Sequence, residues 1–204
     1  MIKKFLIWII KRYQLQQVVA GLHIEDNINA CNNQVTNNGG IFLPGACVGN
    51  QQNDPGKIII GRGTCVAGLL LIFKYGGSIL IGESCYIGDH SRIWSGENII
   101  IGNNVLISHN VNIIDTSAHE FDSKERSIRY TDLLKNGPWN EKGSIITKPV
   151  IIEDYAWVSF NVTILKGVKI GKGAIIGANS LVTKDVPPYS LVVGNPGRVV
   201  RYLK

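Results

Sequence analysis

Aliphatic side chains recur at every sixth position along most of this chain. The longest run steps by six from Ile152 to Val182, and every position in it is Ile or Val. Two further runs, separated by a slip of two residues, extend from Ile81 to Ile99 and from Ile101 to Ile113, and a short run extends from Ile60 to Ile72. An α-helix repeats near 3.6 residues and a β-strand repeats at two, so neither element alone gives this period.

A short strand followed by a turn does give a period of six, so each unit forms one side of a coil. Such units stack into a parallel β-helix, with the aliphatic side chain pointing inward onto its counterpart in the next coil. Three units close a coil of about 18 residues, and the runs predict roughly five coils. We expect glycine and asparagine to occupy the turns, because a positive φ costs them least. The glycines that follow an inward aliphatic residue are Gly61, Gly82, Gly88, Gly102, Gly171 and Gly177.

The six-residue period breaks at length between residues 116 and 149. This segment is polar and charged, and a loop of more than about 15 residues inside a regular repeat is usually functional. His119 lies at its start. We therefore divide the chain into a partly helical N-terminal segment (1–40) and a β-helix domain (41–204). The domain contains the inserted loop 116–149 and a closing segment, 186–204.

Composition excludes some classes of function. Hydrophobic residues make up 45% of the chain and charged residues 18%, which argues against a disordered protein. The formal net charge of +6 suits an anionic partner, such as a phosphorylated cofactor, a nucleic acid or an anionic membrane. Because the Lys and Arg residues are scattered and lack an interleaved aromatic platform, we expect no nucleic-acid partner.

The four cysteines have neither C-x-x-C nor zinc-site spacing. Free thiols fit a reducing compartment, so we expect a cytoplasmic protein. Cys65 and Cys85 fall within the repeat, and we expect both to be core residues.

The N-terminal segment begins with a short basic and apolar stretch. Two lysines precede the apolar run Phe5 to Ile10, and Lys11 and Arg12 follow it. Six apolar residues are too few to span a membrane or to form a typical secretory signal. Residues 1–20 are suited to lie peripherally on the inner face of a membrane, or to pack on their own domain or on a partner subunit. The sequence leaves these alternatives open.

The motif of an aliphatic residue, glycine and four further residues resembles the hexapeptide-repeat acyltransferases. The stretch from Ile152-Glu-Asp-Tyr-Ala-Trp-Val to Gly194-Asn-Pro-Gly-Arg-Val-Val-Arg is similar to the sugar O-acetyltransferase branch, which includes the maltose, galactoside, nodulation-factor and surface-polysaccharide acetyltransferases. The resemblance covers about residues 58 to 204. It implies an all-β left-handed parallel β-helix with a projecting loop and short terminal helical segments. It also implies a homotrimer that uses acetyl-CoA and needs no metal.

The same resemblance implies a catalytic role for His119, which stands where the family's catalytic histidine precedes the projecting loop. A sugar hydroxyl is a poor nucleophile, and a general base that removes its proton typically accelerates transfer by ~10²–10⁴-fold. Asp115, four residues earlier, either orients the imidazole ring as a second catalytic residue or forms a turn. Glu120 and Glu153 are weaker candidates for that orienting role. We expect direct transfer without a covalent enzyme intermediate, the oxyanion being held by a backbone amide of a coil.

Matching the family's acetyl-CoA site residue by residue yields seven candidates. They are Ser159, Phe160, Ala178, Thr183, Lys184, Arg198 and Arg201. The last three of these are basic residues suited to phosphate groups. Two tryptophans are substrate-binding candidates. Trp157 matches a tryptophan near the family's acetyl site, and Trp139 lies on the projecting loop, where it either stacks on a sugar or packs on a neighbouring subunit.

The acceptor differs from that of the galactoside enzymes, because the position of their sugar-binding asparagine aligns near Gly88. We expect a lipid-linked or nucleotide-linked glycan, from a bacterial surface polysaccharide or its precursor. The alternatives are another acceptor (an amino sugar, serine or an antibiotic) and a non-enzymatic β-helix scaffold. A zinc-dependent carbonic anhydrase of the same fold would need two histidines five residues apart, and no pair here has that spacing.

Overall fold

The computed structural model describes residues 2–12 and 15–203, without the side chain of Gln16. It contains three α-helices and twenty strands in this part of the chain. The helices are α1 (Ile2–Arg12), α2 (Leu15–Asn33) and α3 (Ser123–Asn136), and a 3₁₀ turn covers Pro55–Lys57. All but one of the strands pair in parallel, and they form three sheets, A, B and C.

Each sheet takes one strand from every coil. Sheet A contains β1 (Thr36–Asn37), β4 (Ile58–Ile60), β7 (Ile79–Ile81), β10 (Ile99–Ile101), β13 (Val150–Ile152) and β16 (Lys169–Ile170). Sheet B contains β2 (Ile41–Phe42), β5 (Cys65–Val66), β8 (Tyr86–Ile87), β11 (Leu106–Ile107), β14 (Trp157–Val158), β17 (Ile175–Ile176), β19 (Ser190–Val193) and β20 (Arg198–Tyr202). Sheet C contains β3 (Cys47–Asn50), β6 (Leu69–Ile72), β9 (Arg92–Ser95), β12 (Asn112–Ile114), β15 (Thr163–Ile164) and β18 (Leu181–Val182).

The six-residue period does mark the inward positions of these sheets. Ile152, Val158 and Ile164 come from sheets A, B and C in turn, and all three are fully buried. The predicted fold class, a left-handed parallel β-helix, is confirmed. Sheets A and C each contain six parallel strands, so the β-helix has six coils. This is one coil more than the roughly five that the periodic runs predicted. The extra coil, β1 to β3, was missed because Thr36 stands where a third aliphatic residue would extend the six-residue spacing of Phe42 and Val48.

The glycines that follow inward aliphatic residues serve close packing between coils, whereas the expected positive-φ turns are provided by other glycines, such as Gly63, Gly167 and Gly173. None of the six has a positive φ. A Cβ atom at Gly61 would lie 2.6 Å from the carbonyl carbon of Gly82, and one at Gly102 would lie 2.8 Å from the amide nitrogen of Asp154. Any side chain there would collide with the backbone of the next coil. Asparagine does occupy positive-φ turns, as expected, at Asn104, Asn110, Asn161 and Asn179.

The ends of the β-helix are closed differently. At the N-terminal end, α2 packs onto the first coil through Cys31, which is buried, and through Asn27, whose side-chain amide donates to the carbonyl of Ala46 at 2.9 Å. At the C-terminal end, β19 and β20 form an antiparallel pair. With 19 residues, α2 is longer than the predicted short helical segments. No helix within residues 2–12 and 15–203 is both long and apolar enough to cross a membrane.

The cysteine prediction is half right. Cys85 is 3% exposed and belongs to the core, whereas Cys65 is half-buried. On the two-residue strand β5, Val66 points inward, so its neighbour Cys65 points outward.

Candidate active site

The projecting loop leaves the β-helix at the corner between sheets C and A, after β12 and before β13. Its two ends meet at the base, where Thr116 pairs with Thr147 and the amide of Ser117 donates to the carbonyl of Ile146 at 2.8 Å. The hydroxyl of Ser117 donates to the carbonyl of His119 at 2.9 Å. These contacts fix the backbone of His119 at the point where the loop joins the coil.

The loop contains a helix that the sequence analysis did not predict. Helix α3 begins after Asp122, whose carboxylate accepts from the amides of Lys124 and Glu125 at 3.0 and 2.8 Å. It ends before Gly137, whose φ is +81°. Because α3 has no buried residue, it lacks a strong apolar period. Its capping residues, an Asp before the first turn and a Gly after the last, were the available signal.

Two aromatic rings flank the imidazole of His119. The ring of Tyr130 lies 6.4 Å away at an interplanar angle of 78°, and the ring of Trp139 lies 6.3 Å away at 82°. The Nδ1 atom of His119 is buried and has no hydrogen-bond partner in the part of the chain that the structure describes. The ring is therefore held by edge-to-face aromatic packing, and one of its nitrogens is unpaired.

Asp115 does not orient His119, which corrects that prediction. Its carboxylate is fully buried and accepts from the Ser95 hydroxyl at 2.6 Å and from the amides of Gly96 and Glu97 at 2.6 and 3.0 Å. All three donors belong to the preceding coil, and they engage both carboxylate oxygens. Burial raises the pKa of Asp115, and these hydrogen bonds act in the opposite direction. The spacing of four residues could not reveal toward which coil the side chain turns.

The other two acidic candidates are also engaged elsewhere. Glu120 is buried and forms an ion pair with Nε of Arg129. Glu153 lies 2.6 Å from Nζ of Lys169 and accepts from the amide of Lys172 at 2.8 Å. The hydrogen bond from Lys169 lowers the pKa of Glu153. Neither carboxylate forms a hydrogen bond with His119 in the described structure.

Arg129 connects the parts of the loop that surround the histidine. Its guanidinium carbon lies 4.2 Å from the centroid of the Trp139 ring, and its Nη2 atom donates to the carbonyl of Glu141 at 2.9 Å. Trp139 in turn donates from Nε1 to Asp132 at 3.1 Å. Trp139 thus packs on its own loop beside His119. Sequence reasoning missed Arg129 and Tyr130, since nothing in their spacing separates them from other polar positions on α3.

A cavity of about 270 Å³ opens on one side of His119. Its walls are mostly apolar and combine the loop with residues at the C-terminal ends of strands β3, β6 and β9 of sheet C. The lining residues are Gln51, Leu71, Phe73, Lys74, Tyr75, Trp94, Ala118, His119, Leu133, Pro138 and Trp139. Phe73 stacks on Tyr75 at 5.1 Å and meets Trp94 edge-on at 6.4 Å. The indole Nε1 of Trp94 is buried and finds no hydrogen-bond partner within residues 2–12 and 15–203.

A second, more open pocket lies on another side of the histidine. Its volume is about 340 Å³, and it is lined by His119 together with Ser123, Arg126, Ser127 and Tyr130. His119 thus borders both an apolar cavity and a pocket lined by hydroxyl and guanidinium groups. A side chain in this position can exchange a proton with a group that enters from either side.

The predicted acetyl-CoA residues fall at two corners of the β-helix and on its last strand. Ser159, Phe160 and Ala178 follow strands of sheet B on successive coils, and the amide of Asn179 donates to the carbonyl of Phe160 at 3.1 Å. The ring of Phe160 stacks on His109 at 5.3 Å.

The remaining candidates for that site lie elsewhere. Thr183 and Lys184 follow β18 at the corner between sheets C and A, from which the loop also projects. Arg198 and Arg201 are exposed on β20. Trp157 points outward from sheet B and is 44% exposed. A single chain therefore does not gather all seven candidates and Trp157 around His119.

Among residues 2–12 and 15–203, no group of three or more His, Cys, Asp or Glu side chains is arranged to hold a metal ion.

Comparison with known proteins agrees with the repeat. The sequence model of the family described as "Bacterial transferase hexapeptide (six repeats)" matches residues 149–184. A "Putative acetyltransferase" of Staphylococcus aureus is 55% identical over 53 residues, which are 26% of this chain and 27% of that protein. The 2,3,4,5-tetrahydropyridine-2,6-dicarboxylate N-acetyltransferase of S. aureus is 49% identical over 53 residues, which are 26% and 22% of the two chains. The chain thus spans about a quarter of the length of the curated relatives it matches.

Solved structures match over most of the chain. AntD, an N-acyltransferase from Bacillus cereus in complex with dTDP-4-amino-4,6-dideoxyglucose and coenzyme A, superimposes with a TM-score of 0.67 at 18% identity, covering 88% of this chain and 89% of that one. A hexapeptide-repeat acetyltransferase from Vibrio cholerae, complexed with acetyl-CoA, has a TM-score of 0.57 at 26% identity and covers 91% and 85%. The family model and the Vibrio cholerae structure support a relationship to the hexapeptide-repeat acetyltransferases, and the AntD structure supports the fold alone. They do not single out the sugar O-acetyltransferase branch.

Proposed function

We propose that this protein transfers the acetyl group of acetyl-CoA to a hydroxyl group of a sugar, with His119 as the general base. The observation that carries the proposal is the setting of His119 at the base of the long insertion. Its ring lies between two aromatic side chains, has an unpaired buried nitrogen and borders an open cavity. The acetyltransferases among its relatives and the CoA-bound structural neighbours support the reaction class and the co-substrate.

The proposed reaction forms one bond, breaks another and transfers one proton. The sugar oxygen attacks the thioester carbonyl, a C–O bond forms and the C–S bond breaks. His119 takes the hydroxyl proton during the attack and passes it to the departing CoA sulfur. Because Tyr130 and Trp139 hold the ring by packing, the base does not need a carboxylate to keep its orientation.

The apolar cavity is the better of the two pockets for the acceptor. Binding pockets are mostly apolar with a few polar groups that fix orientation. Phe73, Tyr75, Trp94 and Trp139 offer ring faces and edges to the apolar face of a sugar. The unpaired Nε1 of Trp94 is a donor for a sugar oxygen. We assign to this cavity a glycan of a bacterial surface polysaccharide or of its precursor, linked to a nucleotide or a lipid.

In this proposal, acetyl-CoA binds in an extended conformation along successive coils of the β-helix. We assign the pantetheine arm to the corner residues Ser159, Phe160 and Ala178 on successive coils, and Thr183 extends the site. The exposed cations Lys184, Arg198 and Arg201 are available to the phosphates.

A homotrimer would bring these residues together. The outward positions of sheet A are aliphatic at Leu80, Ile100 and Ile151, and those of sheet B are apolar at Leu106 and Trp157. Such extended apolar faces are typical of surfaces that contact another subunit. A neighbouring copy packed there would bring Trp157 and the coil residues of one chain towards His119 of the next.

An amine acceptor is the second candidate. AntD is an N-acyltransferase whose structure contains an amino sugar and CoA, and the same base could deprotonate an amine. The two products differ in chemistry: mild alkali hydrolyses an O-acetyl ester and leaves an N-acetyl amide intact.

The test is an acceptor screen with acetyl-CoA in which product and free CoA are measured by mass spectrometry. His119→Ala should lower the transfer rate by ~10²-fold or more and leave CoA affinity within a few fold. His23→Ala, on the exposed part of α2, is the matched control and should transfer at the wild-type rate. Near wild-type transfer by His119→Ala would remove this residue as the base. No CoA binding and no transfer to any acceptor would favour the scaffold alternative.

A further inference from the structure

Helix α1 has no buried residue in the described structure. Ile2, Phe5 and Trp8 are 77%, 60% and 56% exposed. Leu6 and Ile10 are also exposed. An uncovered apolar surface of this kind marks a contact with a partner or a membrane.

One apolar face of α1 lies opposite two of its four cations, Lys4 and Lys11, whereas Ile7 and Trp8 share the side of these two lysines. In a helix, residues three, four or seven apart share a face. Ile2, Phe5, Leu6 and Ile9 follow this spacing on one side, which we call the α1 apolar face. Lys4 and Lys11 are seven apart on the other side. Lys3 and Arg12 add two further cations, and α1 contains no acidic residue.

Helix α2 holds α1 at the N-terminal end of the β-helix. The C-terminal part of α2 is attached through Asn27 and Cys31. Its N-terminal part is not covered, since Val18, Val19 and Leu22 are about half exposed. The uncovered apolar surface therefore continues from α1 onto the first turns of α2.

We propose that α1, with the N-terminal part of α2, docks on an anionic lipid surface. Four cations and no acid complement anionic headgroups, and each cation near such a surface strengthens binding about 5-fold. Phe5 and Trp8, whose rings stack at 6.2 Å, are of the amphipathic type found at the boundary of headgroups and acyl chains. At 11 residues, α1 is too short to span a bilayer and lies along its surface. The proposal does not depend on the reaction catalysed.

A second copy of the chain is the other occupant to consider. Packing the α1 helices of several copies together would crowd Lys3, Lys4, Lys11 and Arg12 without an acidic partner on α1. The acidic residues of α2 are Glu25 and Asp26, which lie on the part near the β-helix. Charge thus favours the lipid surface.

Vesicle sedimentation with the full chain tests the proposal. The protein should bind vesicles of phosphatidylcholine with phosphatidylglycerol more strongly than vesicles of phosphatidylcholine alone, and salt should weaken the difference. Lys4→Glu/Lys11→Glu should reduce binding by about 25-fold or more. Lys57→Glu/Lys135→Glu changes the net charge equally at two exposed positions outside α1 and should bind within about 2-fold of wild type by the same charge reasoning.

The apolar contribution is tested separately. Phe5→Ala/Trp8→Ala should lose vesicle binding while keeping every cation, and its thermal unfolding should match wild type because neither side chain is buried. The proposal is overturned if the wild-type protein does not bind the anionic vesicles, or if Lys4→Glu/Lys11→Glu binds as well as its control. A change of oligomeric state in either α1 variant would overturn it in favour of a second copy as the occupant.

Discussion

The guanidinium of Arg129 lies over the ring of Trp139, 4.2 Å from its centroid. The same guanidinium pairs with the buried carboxylate of Glu120, the residue next to His119. One side chain on α3 therefore connects the aromatic wall of the cavity to the backbone that carries the proposed base.

Removing this cation should disturb the loop more than removing the whole ion pair. Arg129→Met leaves the Glu120 carboxylate buried and unpaired, which typically costs about 3–5 kcal/mol. We expect faster proteolysis within residues 116–149 and a large loss of transfer. The double variant Glu120→Gln/Arg129→Met has no unpaired charge, and it should regain much of the stability. Equal proteolysis of the single and double variants would show that the buried charge does not determine the order of the loop.

Asp115→Asn should act on stability rather than directly on catalysis. The introduced amide group would face donors from Ser95, Gly96 and Glu97 with one acceptor oxygen where the carboxylate has two. A loss of roughly 1–3 kcal/mol in unfolding free energy is expected. Since Asp115 forms no hydrogen bond with His119 in the described structure, kcat measured well below the unfolding temperature should change far less than in His119→Ala. A loss of kcat as large as that of His119→Ala would contradict this role.

Trp94→Phe should separate acceptor binding from folding. The Nε1 group of Trp94 has no hydrogen-bond partner among the described residues, so losing it should leave the unfolding temperature almost unchanged. If this group donates to the acceptor, KM for the acceptor should rise by about 2- to 10-fold, the usual value of one hydrogen bond, and CoA affinity should be unaffected. An unchanged KM would exclude this hydrogen bond.

Thiol reactivity should follow exposure. Cys47 is exposed and Cys65 half-buried, whereas Cys31 and Cys85 are buried, and burial raises the pKa of both buried thiols. A thiol kept protonated and covered reacts slowly. Mass spectrometry after brief maleimide treatment of the native protein should find label on Cys47 first and none on Cys31 or Cys85. Denatured protein should label at all four. Early labelling of Cys85 would contradict its position in the core.

Glu153→Gln should lower the stability slightly at neutral pH and leave acetyl transfer intact. The pKa of Glu153 is lowered by Lys169, so its stabilising contribution is present above the ordinary range of a glutamate and is lost as the pH falls through the lowered pKa. The variant should be slightly less stable than wild type at neutral pH, and the difference should vanish in acid. Chemical denaturation at neutral and at acid pH measures the unfolding free energy of both proteins. A difference between them that is the same at both pH values would argue against the ion pair of Glu153 and Lys169.

The sequence predicted the inward core positions, whose spacing the repeat fixes. It missed the residues that line the cavity, because they lie outside the repeat. Ile152 and Val158 are inward positions whose spacing is imposed by the coil, and both are buried. Phe73, Tyr75 and Trp94 line the cavity from positions that follow no period, and they meet the loop only after folding. Tyr75 hydrogen-bonds Thr116 at 3.2 Å across 41 residues of sequence. No local pattern contains that information.

The loop 116–149 interrupts the sequence of the β-helix without interrupting its stacking. On either side of the insertion, Ile99 pairs with Val150 and Ile101 with Ile152 in the same parallel register as their pairs with the preceding coil. Gly102 approaches the following backbone as closely as the other packing glycines do. The scaffold and the loop are thus separable units joined at Thr116 and Thr147. Loops of other lengths and sequences can replace this one at the same two residues, so acceptor preference can diverge while the coils stay unchanged.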